Sequence, residues 1–88
     1  MLIKLYDDVG TNIRNIRKCR CLSQRDLAYL ARINEATIKK YEMGIRIPKD
    51  ENLKKIGYAL GVDFWILKGY KAKRITEIEL ISDLDYLM

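Results

Sequence analysis

From Val9 onward, apolar residues recur every three or four positions in short runs, and polar cap and turn residues separate the runs. Such spacing places the apolar side chains on one face of a helix. A first helix carries Val9, Ile13 and Ile16 and extends to about Arg20, with Asp7 or Asp8 as its cap. A second turns Leu27, Ala28, Leu30 and Ala31 inward. A third supplies Ile38 and Tyr41, with Ile33 in the turn before it. A fourth runs from Lys49 or Asp50 to Leu60, burying Leu53, Ile56, Ala59 and Leu60, and Gly61 stops it. Asp63 opens a short fifth helix with Phe64, Trp65 and Leu67. Lys68 to Lys73 reads as a basic linker. Thr76 then caps a last helix to about Leu87, with an apolar stripe of Ile78, Ile81, Leu84, Leu87 and Met88. Met1 to Tyr6 alternates weakly, as a short strand or an ordered arm does. The pattern predicts an all-α chain, with a five-helix domain over residues 1–69 and a linker and C-terminal helical extension over 70–88.

The middle of the chain, Gln24 to Pro48, is the most specific stretch. Ser23 can cap the second helix, and Asp26 stands where a capping box needs an acceptor. Asn34 can cap the third helix, with Thr37 three residues on. Gly44 follows Met43 as a stop, and Pro48 ends the loop beyond. Each of these two helices is about eight to ten residues, too short to persist without packing on something else. Two short helices, a tight turn and a basic second helix make a helix-turn-helix, a device that lays one helix in the DNA major groove.

The segment resembles the phage-repressor (Cro-like, XRE) helix-turn-helix family over roughly Val9 to Leu67. The matching residues are Val9-Gly10, Ile13, Ile16-Arg17, Leu22-Ser23-Gln24, Leu27-Ala28, Ile33, Thr37-Ile38, Tyr41-Glu42, Gly44, Pro48, Leu53, Ile56, Ala59-Leu60-Gly61-Val62 and Leu67. None is specific alone; in register, without a gap, they are. The chain departs from the family at Arg32, where a turn glycine is usual and a left-handed backbone costs an arginine about 1 kcal/mol. It departs again at Ile45, Ile47, Trp65 and Ile66, where polar residues are usual.

The resemblance implies a repressor-like DNA-binding domain and assigns roles. Glu35, Ala36 and Lys40 fall at positions that face base edges, with Thr37 and Lys39 beside them. Glu can accept from cytosine N4, Ala can meet a thymine methyl, and Lys can reach guanine O6 or N7. Glu35 needs a donor, because a carboxylate near phosphates is otherwise unfavourable. Gln24 and Arg25 start the second helix, where free backbone N–H groups and a side-chain amide can hold a phosphate. Arg46 and Lys49 can grip the backbone from the following loop. Arg17 and Glu42 match a family pair that orients the third helix from beneath. The plain alternative for each exposed residue is a solvated helix face.

Composition narrows the function. Net charge is +5, but all seventeen cations and eight of the twelve acids precede residue 75, so that part carries 17 − 8 = +9. Residues 75–88 hold Glu77, Glu79, Asp83 and Asp85 and no base, hence −4. A basic body suits a phosphate backbone. There is no His, no nucleophile–base constellation, no Gly-rich phosphate loop and no metal cluster, so an enzyme is not expected, nor a cofactor. Cys19 and Cys21 lie two apart on the predicted first helix, point different ways, and are expected to be reduced thiols. No apolar run approaches a membrane span and no signal peptide is evident, so a cytoplasmic location is expected.

The expected partners are double-stranded DNA and a second copy of the chain. The expected function is a sequence-specific transcription regulator, most simply a repressor acting as a dimer on operator DNA. The alternative is an antitoxin-type protein whose C-terminal segment binds a partner protein while its helix-turn-helix binds its own operator. Tyr29, Tyr58 and Trp65 fit packing or interface roles better than base stacking. The expected dimer or partner interface joins Trp65 and Ile66 to the tail stripe of Ile78, Ile81, Leu84 and Met88, with the tail on helix five of its own or the partner chain.

Overall fold

Asp8 caps the first helix: its carboxylate accepts the Gly10 backbone N–H at 3.1 Å and the Thr11 hydroxyl at 2.6 Å, so the chain enters a helix at Val9. The computed structural model describes residues 8–68. Five helices follow in order, α1 (Val9–Cys19), α2 (Gln24–Ala31), α3 (Glu35–Glu42), α4 (Asp50–Leu60) and α5 (Phe64–Lys68). Among the described residues there is no strand, and no helix is long and apolar enough to cross a membrane. The fold is all-α, as the periodicity predicts. The N-terminal arm and the C-terminal extension lie outside the described residues.

The starts follow the cap residues. Ser23 and Asp26 form a reciprocal capping box on α2, each side chain accepting the other's backbone N–H. Asn34 accepts the Ala36 N–H at 2.8 Å and so caps α3. α4 has no side-chain cap bond, but Asp50 and Glu51 in its first turn complement the helix dipole.

The ends share one motif. In α1 to α4, a left-handed residue donates to the carbonyl three back, and the next residue donates to the carbonyl five back. That is the Schellman arrangement, which satisfies carbonyls a helix end would leave bare. Gly44 and Gly61 provide the left-handed residue for α3 and α4; Cys21 (φ 59°) and Arg32 (φ 57°) provide it for α1 and α2. Two corrections follow. Cys21 is not on the first helix but beyond its end, held off it by the turn to Leu22. Leu30 does not face inward: it is 50% exposed, because in so short a helix Leu27, Ala28 and Ala31 already fill the buried face.

The core gathers Ile13, Ile16, Leu27, Ile38, Leu53, Ile56 and Leu67, all at most 2% exposed, with Ala28, Ala31, Tyr41 and Leu60 around them. α2 packs on α3 and α4, and α5 packs on α1 and α4. Gly10 lets α1 meet the end of α3: a Cβ there would collide with the Tyr41 carbonyl oxygen. The Arg20 guanidinium Nε donates to the Leu60 carbonyl at 3.0 Å, tying α1 to the end of α4. Buried Asn12 donates through Nδ2 to the Leu67 carbonyl at 3.4 Å, tying α1 to α5.

Candidate nucleic-acid interface

The helix-turn-helix is α2, the turn Arg32–Asn34 and α3. The turn is sharp because Arg32 adopts the left-handed region (φ 57°, ψ 44°), although it is not glycine. Ile33 then packs against the core, and Asn34 starts α3.

Three side chains from three elements hold α3 in place. Arg17 on α1 grips the Glu42 carboxylate with two bonds, Nε to Oε2 at 2.7 Å and Nη2 to Oε1 at 3.0 Å. Its Nη1 donates to the Leu22 carbonyl at 2.7 Å, which fixes the chain between α1 and α2. Gln24, the first residue of α2, donates through Nε2 to Glu42 Oε1 at 3.0 Å. The Arg17 and Glu42 side chains are only 9% and 3% exposed. A buried two-pronged ion pair of this kind fixes geometry more than it adds stability. The end of α3 is therefore clamped to α1 and to the start of α2.

What the clamp leaves outside is polar and basic. On α3, Ile38 and Tyr41 are buried, whereas Ala36, Lys39 and Lys40 are exposed and Glu35 and Thr37 half-exposed. Glu35 finds a donor within its own helix, Lys39 Nζ at 3.4 Å, one turn on. Lys40 has no carboxylate partner among the described residues, and its carbonyl accepts the Ile45 and Arg46 N–H groups, so the loop is anchored at the same residue. Arg25 is exposed at the start of α2; Gln24 is half-buried, with one amide hydrogen already committed to Glu42.

Arg46 and Lys49 line a groove of about 430 Å³ with Asn34, Thr37 and Tyr41. The groove also takes Arg32 and Asn52, which the sequence reading did not put forward for this surface. Arg32 left a signal, as a cation in place of a turn glycine. Asn52 left none; its Nδ2 donates to the Tyr41 hydroxyl at 2.9 Å and so joins α4 to α3. Met43, Ile45 and Ile47 are 67–79% exposed, so the end of α3 and the loop after it carry an exposed apolar surface.

On α5, Trp65 is half-exposed against Phe64, with ring centroids 5.0 Å apart, while Ile66 packs on the core. Lys68 Nζ lies 4.9 Å from the Trp65 ring and 3.3 Å from the Asp50 carboxylate. Tyr29 and Tyr58 are almost fully exposed and lie outside the core cluster. Ile78, Ile81, Leu84 and Met88 lie outside the described residues.

A family model described as helix-turn-helix, HTH_3, matches residues 13–64, more than half of the chain. No curated protein matches it. Among solved structures, the chain is similar to the restriction-modification controller protein C.AhdI from Aeromonas hydrophila, at 28% identity and a TM-score of 0.67, over 69% of this chain and 92% of that one. It is similar to SinR, the master regulator for biofilm formation, solved in complex with DNA, at 25% identity and a TM-score of 0.65, over 67% and 95%. It is similar as well to the P22 c2 repressor in complex with a synthetic operator, at 26% identity and a TM-score of 0.64, over 74% and 94%. With the family model spanning α2, the turn and α3 in register, the chain belongs to the helix-turn-helix (HTH_3) family.

Proposed function

We propose that the protein is a sequence-specific DNA-binding transcription regulator, and that it represses by occupying operator DNA as a dimer. The observation that carries this reading is the clamp on α3: Arg17 and Gln24 immobilise Glu42 while Ala36, Lys39 and Lys40 stay exposed. A clamped helix with an exposed basic face suits insertion into a major groove. The similarity to two regulators solved with DNA supports it.

In this reading α3 enters the groove with Glu35, Ala36, Thr37 and Lys40 toward the bases. Gln24, Arg25, Lys39, Arg46 and Lys49 flank it and meet phosphates. Phosphate contacts set register and base contacts set sequence. One such module reads few base pairs, so two protomers engage half-sites about one helical turn apart. Trp65 supplies an exposed aromatic for that pairing.

Salt tests the reading. A dimer neutralising about six or more phosphates loses about 10³-fold or more in affinity between roughly 50 and 200 mM salt. Anisotropy titrations on a selected operator measure this, and a flat salt dependence would overturn the proposal.

A further inference from the structure

Leu30 and Tyr58 are two exposed residues to which the reading of the helix-turn-helix gives no role. Leu30 is 50% exposed and Tyr58 90%, although both stand on helices whose other faces build the core. With Ala31, Arg32, Lys54 and Lys55 they line a groove of about 660 Å³ between the end of α2 and α4. Its apolar part is Leu30, Ala31 and the Tyr58 ring; its remaining members are cations. Neither Arg32 nor Lys55 has a carboxylate partner among the described residues. Lys54 Nζ lies 5.3 Å from the Phe64 ring, a contact that leaves its charge unbalanced. An apolar groove with an uncompensated positive rim fits a segment that is apolar on one side and acidic on the other.

The chain carries such a segment. Residues 75–88 place Ile78, Ile81 and Leu84 at helical spacing and hold four acids with no base. The reach is adequate. Lys68 meets Asp50 at the start of α4, and Tyr58 is about 12 Å further along that helix. Residues 69–74 can span about 20 Å when extended. We propose that residues 75–88 dock on the Leu30–Tyr58 groove of their own chain. The other seat, on helix five, offers less: Ile66 is already packed on the core, and the cation over Trp65 is paired with Asp50. This proposal rests on packing and charge and does not need the DNA reading, although Arg32 lines both this groove and the one beside α3.

Backbone amide NMR spectra of the full chain, without DNA, test it with two variants. Leu84→Asp shifts the Leu30, Lys55 and Tyr58 amides and leaves the Trp65 indole in place. Lys55→Glu, a change at an exposed residue, shifts the Ile81 and Leu84 amides, and both effects persist unchanged on dilution. Groove amides that stay fixed in Leu84→Asp, or Ile81 and Leu84 amides that stay fixed in Lys55→Glu, would overturn the proposal, as would movement of the Trp65 indole in their place. Shifts that fade on dilution would mean docking between copies, and would overturn it too.

Discussion

Gln24 and Glu42, eighteen positions apart and on different helices, share a hydrogen bond of 3.0 Å from amide nitrogen to carboxylate. The bond changes the role of Gln24. A residue expected to hold a phosphate also completes the clamp on α3, because the carboxylate it meets is the one that Arg17 grips from below. Removing Glu42 strands a nearly buried guanidinium, a loss on the order of 3–5 kcal/mol. Removing Gln24 deletes one charge-assisted bond and costs about 1–2 kcal/mol.

Urea unfolding is therefore expected to rank Glu42→Ala far below Gln24→Ala. Equal losses in the two variants would mean that the clamp does not hold α3.

Arg32 and Cys21 bear a backbone strain that glycine would not. A left-handed residue costs about 1–2 kcal/mol for an L side chain, and glycine gives part of that back through a more flexible unfolded chain. Arg32→Gly and Cys21→Gly should each add about 0.5–1 kcal/mol, a rise of roughly 3–6 °C in Tm for a domain this size. Calorimetry measures it. A fall in Tm for both would show that the side chains contribute more than the strain removes.

Asp26 links stability to acid. The Ser23 backbone N–H, and then the Ser23 side chain, hold its carboxyl below the ordinary carboxylate value of 3.8. A carboxylate favoured in the folded state contributes stability above its unfolded value, and the contribution is lost as pH falls through the folded one. Midpoints of urea unfolding should thus drop below about pH 4 more steeply in the parent than in Asp26→Asn. Parallel profiles would mean that the capping box does not titrate.

Much of this was legible because the signals are local. Asp8, Ser23 with Asp26, and Asn34 announce helix starts within three residues, and Gly44 and Gly61 announce ends. The buried Ile13, Ile16, Ile38 and Leu53 follow from spacing. What escaped depends on contacts between elements. Leu30 satisfies the apolar spacing of α2, yet eight residues present too narrow a face to bury it beside Leu27 and Ala31. Cys21 carries no turn signal; its left-handed backbone comes from the closing bonds of α1 to Cys21 and Leu22. The groove that joins Arg32 and Asn52 to Arg46 and Lys49 needs α4 folded beside α3 before it exists.

The central claim is that α3 reads bases, and Lys40 is where that can be measured most directly. Its side chain is exposed and free of carboxylate partners among the described residues, so truncation leaves the helix and the loop bonds to its carbonyl intact. With a preferred site obtained by selection, the affinities of parent and Lys40→Ala are measured on that site, on its single-base variants and on random DNA. The expected result is a loss of about 1–3 kcal/mol on the preferred site, relaxed preference at one base pair, and little change on random DNA. An equal loss on preferred and random DNA would contradict it, making Lys40 a phosphate contact and leaving base reading by α3 without its principal residue.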